Sequence, residues 1–314
     1  MNKLITFCIF ILIIAKNCFC AETGTSTAVF LKMPTGARPA GMGSAFCGIS
    51  DDVNSLYWNP AGISNIKEIQ ATATHIQWIE GITNTNFGVV IPFNKNNFGF
   101  SVTYVSYGDI EVRSETGELK GKDNVYDMSM SLTYATSIIK ENLSLGISGK
   151  TITQKYADII GSGSGFDFSL LYKLSQLSFG LNLQNFGSSV NFEKIKNNLP
   201  TNIKFGIGYK FNNILFGFDI DNSNDSGMKF HFGTEVLLKE KYYIRGGYDQ
   251  IDKNISFNKG LSFGLGMNMS HSSTEEFEEF TEEKSISGNI NFDYALITLS
   301  DFGLSHRISI TIKF

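Results

Sequence analysis

The sequence lacks any apolar run long enough to form a transmembrane helix. Its longest run, Leu4 to Ala15, has 12 residues, whereas a helix that crosses a bilayer needs about 20. This run lies between two lysines and is followed by a stretch of small residues that ends at Ala21, the arrangement of a secretory signal peptide. We therefore expect residues 1–20 to be a signal peptide that is cleaved after Cys20, and no helical anchor.

Cysteine and basic residues are also scarce. Three of the four cysteines lie in the signal peptide, so the mature chain keeps only Cys47, and neither an intramolecular disulfide nor a cysteine metal site can form. Removal of Lys3 and Lys16 takes the formal net charge from -4 to -6. The chain has no basic stripe, which argues against nucleic-acid binding.

Helical periodicity and the patterns of catalytic or metal sites are nearly absent. His271, Ser273 and Glu275 share one face of an extended strand, but neighbours on such a face are about 7 Å apart, too far for proton transfer. We predict a protein that is not an enzyme, with no cofactor and with no catalytic, cofactor-binding or metal-binding residues. None of the histidines has metal-ligand spacing; they are His75, His231, His271 and His306.

The chain instead shows apolar and polar residues that alternate with period two. From Leu304 to Phe314, apolar residues alternate with Ser, Arg, Thr and Lys, which gives a strand one apolar and one polar face. The same alternation recurs over 98–104 and 261–269. An aromatic residue that ends such a strand is typical of outer-membrane barrels, so Arg307 and Phe314 are candidate signals for the barrel-assembly machinery.

Fourteen segments from residue 69 onward have this character, with lengths near the ~9 to 11 residues that cross a bilayer when tilted. A soluble β-sandwich would alternate too, but here the polar faces carry mostly Gly, Ser, Thr and Asn opposite large apolar side chains. We therefore predict an all-β fold, a 14-stranded antiparallel transmembrane β-barrel over residues 69–314. The predicted strands are 69–78, 85–93, 97–107, 124–138, 142–152, 164–174, 176–186, 201–211, 213–221, 227–238, 241–249, 259–270, 285–296 and 303–314.

Link lengths predict the orientation. Tight links such as that at Asn212 alternate with longer ones such as 108–123, 153–163 and 187–200, and outer-membrane barrels place short turns in the periplasm. We expect both termini to be periplasmic. Because successive links alternate between the two ends of a barrel, the long segment 271–284 is expected to be periplasmic. It is either a solvated loop or an acidic arm that binds a basic partner. Its glutamates are Glu275, Glu276, Glu278, Glu279, Glu282 and Glu283.

Residues 21–68 differ from the rest of the chain. Pro34, Pro39 and Pro60, three of the five prolines, lie here, and proline is excluded from interior strands because it cannot donate to the ladder. Fourteen strands enclose a lumen wider than side chains alone can fill. We therefore predict that this segment is an N-terminal hatch, or plug, inside the lumen.

Both ends of the chain resemble the PorV/PorQ family. The resemblance rests on Gly36–Phe46 and Tyr57–Gly62 near the start, and on Phe292–Ala295 and Asp301–Ser309 near the end. It implies a 14-stranded barrel similar to the FadL fatty-acid channels, with an N-terminal hatch that carries an Asn-Pro-Ala turn. Some members of this family serve the type IX secretion system and hold exported proteins at the outer membrane.

Polar residues of the hatch are the first site candidates. The Trp-Asn-Pro turn has a local meaning, because Asn bonds to nearby backbone and Pro fixes the next φ angle. It is either a structural turn or part of a ligand gate. A buried arginine in this segment needs an acidic partner, and two aspartates lie near in sequence. The hatch and gate candidates are Arg38, Asp51, Asp52, Trp58, Asn59 and Pro60.

Two glycine pairs are the second set of candidates. Gly206 with Gly208, and Gly264 with Gly266, remove side chains from consecutive lumen-facing positions. Missing side chains let a backbone approach closely or a strand bend. These glycines therefore make room for the hatch, or else provide a lateral exit for a hydrophobic molecule.

These features favour a non-catalytic barrel in protein export or envelope function. Its expected partners are outer-membrane lipid, the barrel-assembly machinery, and secretion-system components or exported proteins. The alternative is a FadL-like passive channel, whose partner is a hydrophobic small molecule.

Overall fold

A computed structural model describes residues 24–139, 142–192, 195–250, 260–272, 287–299 and 303–314. No helix in these ranges is long and apolar enough to cross a membrane. Strands dominate them: β1 (Gln70–Gln77), β2 (Thr83–Phe93), β3 (Asn96–Arg113), β4 (Leu119–Ile139), β5 (Leu143–Tyr156), β6 (Ile159–Leu174), β7 (Leu177–Gly187), β8 (Val190–Phe192), β9 (Ile195–Asn197), β10 (Asn202–Phe211), β11 (Ile214–Ser223), β12 (Gly227–Leu238), β13 (Tyr242–Asp249), β14 (Leu261–Ser272), β15 (Ser287–Thr298) and β16 (Leu304–Lys313).

Fourteen long strands form a closed antiparallel barrel. Each pairs with its neighbours along the chain, β7 pairs with β10, and β1 pairs with β16, which places Gln70 opposite Lys313. The predicted 14-stranded antiparallel barrel is therefore confirmed. The two short strands, β8 and β9, form a hairpin that pairs with the wall at Ser162 and Asn191. Strands of three residues leave no alternation to detect, so the sequence did not predict this hairpin.

Strand β16 shows how the sequence alternation becomes an inside and an outside. Ser305, Arg307 and Ser309 are buried, whereas Leu304 and Ile308 are exposed. This inverts the rule for soluble proteins and fits a wall whose apolar face meets lipid. Other exposed apolar residues on the wall include Phe87, Ile91, Phe98, Leu132, Phe166, Phe168, Phe216, Phe232, Ile244, Phe263 and Leu265.

The two ends of the barrel have different connections. The tight-turn end carries two-residue turns that begin at Asn94, Ser175 and Asn212, all with positive φ, while the loop end carries the long 188–201 link. Two predicted loops at the loop end are wrong. Strands β3 and β4 leave only 114–118 between them, and β5 turns directly into β6 at 157–158.

Those two hairpins were missed for a physical reason. Glu111 and Arg113 on β3 are both exposed and paired with each other, so water reaches this part of the strand. A strand that has passed beyond the lipid still pairs its backbone, but it no longer needs one apolar face. The alternation therefore stops before the strand does.

Residues 24–68, called the lumenal segment from here on, lie inside the barrel. They contain two 3-10 helices, Val29–Lys32 and Pro60–Asn65, and two short α-helices, Ala37–Gly41 and Ser55–Trp58. Their backbone bonds to inward-facing polar residues of the wall all around the lumen. Three such bonds are Ala37 N to Ser309 Oγ at 2.8 Å, Phe46 N to Asp219 Oδ2 at 2.8 Å and Ala61 N to Ser169 Oγ at 2.8 Å.

The lumenal segment runs along the length of the lumen. Thr27 N donates to Asn198 O in the 188–201 link, at the loop end. At the other end of the barrel, Asn97 Nδ2 donates to Ile66 O, and Phe314 N donates to Ile69 O. The first described residues and Phe314 thus lie at opposite ends, so the expectation of two termini on one side does not hold for the described chain. An irregular segment carries no periodicity that would reveal its direction.

Candidate functional site

The candidate site is the lumen, and glycines set how closely the lumenal segment approaches the wall. An added Cβ on Gly206 would collide with the backbone N of Gly48. An added Cβ on Gly264 would lie 3.0 Å from Cα of Gly41, and one on Gly41 would lie 2.9 Å from Cα of Gly264. Real Cβ atoms are almost never so close to backbone, so both contacts require glycine. Two of the predicted glycines therefore face the segment.

The nearest neighbours of the other two predicted glycines are wall side chains. An added Cβ on Gly208 would lie 2.5 Å from Ser178 Oγ, and also 3.2 Å from Gly48 O of the segment. An added Cβ on Gly266 would lie 2.5 Å from a carboxylate oxygen of Asp293. Gly266 therefore makes room for a wall side chain. The sequence missed further wall glycines that meet the segment's backbone: Gly146, Gly180, Gly217, Gly233 and Gly247.

The Asn-Pro-Ala turn is tied to the wall at several points. Asn59 caps the second 3-10 helix by accepting from Ala61 N at 3.2 Å, and its Nδ2 donates to Cys47 O at 3.0 Å and to Leu170 O on β6 at 3.1 Å. Asn182 of β7 donates to Trp58 O at 2.9 Å. The turn and the wall share one hydrogen-bond network, in which Pro60 supplies the fixed φ of the first helical position.

An ionic chain crosses from the lumenal segment to the wall. The guanidinium of Arg38 lies 2.6 Å from both Asp51 and Asp52 and 2.8 Å from Glu235 on β12. Asp51 and Asp52 are the two partners that the sequence suggested. Glu235 also bonds to Arg245 on β13 at 2.6 Å, and Arg245 reaches Asp293 on β15 at 2.7 Å. The three wall residues were not predicted, because nothing local in sequence marks an ion pair between strands. A paired and hydrogen-bonded cluster of this kind avoids the penalty of an isolated buried charge.

Cys47 is enclosed by the same packing. Its side chain is fully buried, and its backbone N donates to Asp219 at 2.6 Å. Burial raises the pKa of the Cys47 thiol well above its ordinary value, and the charge of Asp219 acts in the same direction. The thiolate is the reactive form of cysteine, so this thiol is inert.

A cavity of about 370 Å³ lies between the lumenal segment and the wall towards the loop end. Its volume is within the range of small-molecule sites. Both tryptophans of the chain, Trp58 and Trp78, line it. Aliphatic and aromatic side chains supply much of the remaining lining, and they include Phe30, Met33, Tyr107, Ile297 and Leu299.

Most charged groups of this cavity are paired. Lys204 lies 2.7 Å from Asp221, which also bonds to His231, and the other ring nitrogen of His231 lies 3.1 Å from Asp249. Lys32 is likewise paired, with Asp225 in the 224–226 link, at 2.5 Å. Two cations of the cavity, Arg307 on β16 and Lys229 on β12, form no ion pair with any described residue.

Other predicted residues lie elsewhere. Phe314 is 59 % exposed at the tight-turn end, whereas Arg307 is buried on the lumen side of the same strand. The six glutamates of the acidic arm lie outside the described residues, as does the predicted signal peptide. Within the described ranges no group of three or more His, Cys, Asp or Glu residues could hold a metal ion.

The N-terminal part of the chain matches one family model. Residues 17–165 match the model described as "Uncharacterised protein family (UPF0164)". This match covers slightly less than half of the chain. No curated protein matches the sequence.

Solved structures match nearly the whole chain in fold. The toluene transporter TbuX of Ralstonia pickettii has a TM-score of 0.58 at 11 % identity, covering 89 % of this chain and 97 % of its own. The toluene transporter TodX of Pseudomonas putida gives 0.56 at 12 %, covering 89 % and 97 %, and a FadL homologue of Pseudomonas aeruginosa gives 0.53 at 9 %, covering 89 % and 98 %. The fold is therefore that of FadL-type outer-membrane barrels. Two of these neighbours are toluene transporters and the third is a FadL homologue.

Proposed function

We propose that this protein is an outer-membrane channel for hydrophobic small molecules. The observation that carries the proposal is the 370 Å³ cavity lined by Trp58 and Trp78, in a barrel whose fold is that of two toluene transporters. About half of the lining residues are apolar or aromatic, and the polar and charged remainder can fix the orientation of a bound small molecule. The expectation that the protein acts mainly in export receives less support than this alternative.

The lumenal segment is the gate in this proposal. Beside this cavity a smaller one of about 60 Å³ lies between the segment and strands β1 to β6, with room for about two waters. A ligand in the cavity can go further only if the segment shifts. Arg38, Asp51, Asp52 and the turn from Trp58 to Pro60 hold the segment, so they are proposed to set how readily it moves.

Intrinsic fluorescence tests the proposal directly, because both tryptophans of the chain line the cavity. The purified protein is titrated with N-phenyl-1-naphthylamine, a neutral hydrophobic probe that accepts energy from tryptophan. We expect saturable energy transfer that toluene displaces, and a smaller signal after Trp78→Phe. A signal that rises linearly with probe, as for partition into the detergent micelle, would contradict the proposal.

A second candidate function is protein export of the PorV/PorQ type. It is favoured by the sequence resemblance at Gly36–Phe46 and Tyr57–Gly62, both of which lie in the lumenal segment. In this proposal the acidic arm faces the periplasm and binds a basic partner. Affinity capture from native membranes tests it: secretion components or exported cargo should be retained by the wild type, and lost when the six arm glutamates are changed to glutamine.

A further inference from the structure

A groove of about 750 Å³ lies on the outer face of the wall, at the tight-turn end. Strands β12 to β16 form this outer groove, away from the lumenal segment. Exposed apolar and aromatic side chains supply most of its lining, and they include Leu238, Tyr242, Ile244, Leu265, Phe292 and Ile308. The outer groove is therefore part of the surface that meets lipid.

Two lysines of the β12–β13 turn stand beside the outer groove. Lys239 is among its lining residues, and Lys241 Nζ lies 5.7 Å from the centre of the Tyr242 ring, which also lines it. Neither ammonium group is within 4 Å of a carboxylate in the described part of the chain. Glu240 lies between them in sequence, so the turn keeps a net positive charge.

The groove itself offers no free negative charge to its occupant. Asp293 is the carboxylate among the described lining residues, but it is buried and accepts from Arg245 Nη1 at 2.7 Å. An occupant of the outer groove therefore meets apolar side chains along its body and two cations at the turn.

The position of the outer groove favours a membrane lipid as this occupant. The tight turns lie where the apolar face of the wall ends, and tyrosines such as Tyr242 and Tyr294 are typical of that boundary. Lysines beside a lipid surface attract anionic head groups. A phosphate that accepts from an ammonium group forms a charge-assisted hydrogen bond. In a zwitterionic phospholipid the head group's own ammonium competes for that phosphate, so a net negative head group fits better.

We propose that the outer groove is a binding site for an anionic phospholipid of the leaflet at the tight-turn end. One acyl chain lies in the groove, and Lys239 and Lys241 bind the phosphate. The lipid is a fixed component of the wall and not a substrate of the lumen. The inference is independent of the proposed function, because it uses no residue of the lumenal cavity.

Native mass spectrometry of the full-length protein in a neutral detergent tests the proposal. The detergent carries equal amounts of dioleoyl-phosphatidylglycerol and dioleoyl-phosphatidylethanolamine, which share their tails and differ in net charge. We expect the wild type to retain the phosphatidylglycerol in about fivefold excess or more, because two lysines act on its head group. In the double variant Lys239→Gln, Lys241→Gln the excess should fall below about twofold.

Matched variants separate a local site from a general charge effect. The double variant Lys239→Arg, Lys241→Arg keeps both charges and should keep the excess. Lys95→Gln with Lys210→Gln removes two exposed lysines near other tight turns and should also keep it; a loss there would overturn the site. Leu265→Trp fills the groove and should lower the retention of both lipids.

The remaining outcomes each decide. Equal retention of the two lipids by the wild type overturns the proposal, as does displacement by glycerophosphoglycerol, the head group without tails. A lipid-free dimer that Leu265→Trp dissociates would show that a second copy covers the groove, and would also overturn it.

A salt series decides without any substitution, should the glutamine variant fail to fold. Raising ammonium acetate from about 0.1 M to 1 M shortens the Debye length from about 10 Å to 3 Å. The excess in the wild type should then fall below about twofold, and an unchanged excess overturns the role of the lysines. Binding of N-phenyl-1-naphthylamine in the lumen should be the same in every variant, so the proposed function is tested separately.

Discussion

Hydrogen bonds of single side chains fix the position of the lumenal segment along the barrel. Asn59 bonds to one backbone donor and two backbone acceptors, and two of these partner residues, Ala61 and Cys47, are fully buried. Removing one partner of a buried hydrogen bond leaves the other unsatisfied, which costs about 1–3 kcal/mol. The sequence indicated a turn here, but it could not indicate that the turn bonds to β6.

Asn59→Ala should therefore lower the free energy that holds the segment in place by about 1–3 kcal/mol. The measurement is the rate at which protease cuts within residues 24–68 of the folded barrel. Asn213→Ala is the matched control, since Asn213 also donates to a backbone carbonyl, Leu237 O at 2.8 Å, but in an exposed turn. Equal protease sensitivity of the two variants would contradict the anchoring role of Asn59.

Glycine contacts give a second prediction at this scale. Gly206→Ala should push the segment away from β10, because the new Cβ would meet Gly48 N, and overpacking of this kind costs about 1–3 kcal/mol. Gly246→Ala on β13 is the control, since nothing lies within 4 Å of an added Cβ there. Thermal unfolding should show a lower midpoint for the first variant only. A shared midpoint would mean that the wall and segment are not in backbone contact.

Acidification should release the loop end of the segment. Burial by itself would raise the pKa of Asp225, but hydrogen bonds from Lys32 and Ser223 outweigh it and lower the pKa below its ordinary value, which is about 3.9. A carboxyl with a lowered folded pKa adds stability above the unfolded value, and that stability is lost as the pH falls through the folded pKa. Hydrogen exchange of residues 24–35, corrected for the intrinsic rate, should be slow at pH 7 and accelerate below about pH 4.

Asp225→Asn supplies the control for this pH effect. The variant keeps the shape of the side chain but not the charge, so its exchange over 24–35 should be fast already at pH 7 and change little with acid. Acid acceleration of the same size in both proteins would show that some other group titrates.

Strands were predictable as elements because lipid and lumen impose opposite demands on alternate residues. Ten of the fourteen wall strands lie within two residues of their predicted bounds, and β12 was placed at Gly227–Leu238, where it is found. The other four, β3 to β6, extend four to six residues further at the loop end. The irregular segment follows no such rule. Its location in the lumen was predicted from prolines and from lumen size, but its direction and its ionic contacts with Glu235 and Arg245 depend on tertiary structure that no local pattern encodes.

A crosslink tests the fit between segment and wall. The hydroxyl oxygens of Ser64 and Ser144 are 2.6 Å apart, so cysteines at both positions should form a disulfide, whose S–S length is about 2 Å. Buried Cys47 should not interfere. Mild oxidation should give the bond in the folded barrel in nearly full yield, measured by mass spectrometry after digestion. Two free thiols in the oxidised, folded protein would show that the segment is not beside β5.

The closing strand gives a prediction about assembly. Its alternation is confirmed, with apolar residues outside and Ser305, Arg307 and Ser309 inside, and the exposed Phe314 remains the candidate signal for the assembly machinery. Deletion of Phe314 should lower the yield of heat-modifiable barrel in cells. The substitution Phe314→Tyr, which keeps an aromatic end, should restore it. An undiminished yield after deletion would remove the assembly role.

The whole molecule is a closed barrel that is filled by its own N-terminal segment. Membrane orientation remains a prediction, in which the tight-turn end faces the periplasm. An impermeant thiol reagent tests it on intact cells without background, because Cys47 is buried: a cysteine at Gly117 should react and one at Asn212 should not.

Ion conductance in planar bilayers shows whether the N-terminal segment closes the pore. A variant that lacks residues 24–62 should fold, as judged by heat modifiability, and conduct more current per molecule than the full chain, because the lumen of fourteen strands is wider than wall side chains can fill. Equal conductance of the two folded proteins would contradict the account, since the segment would then not be what closes the pore.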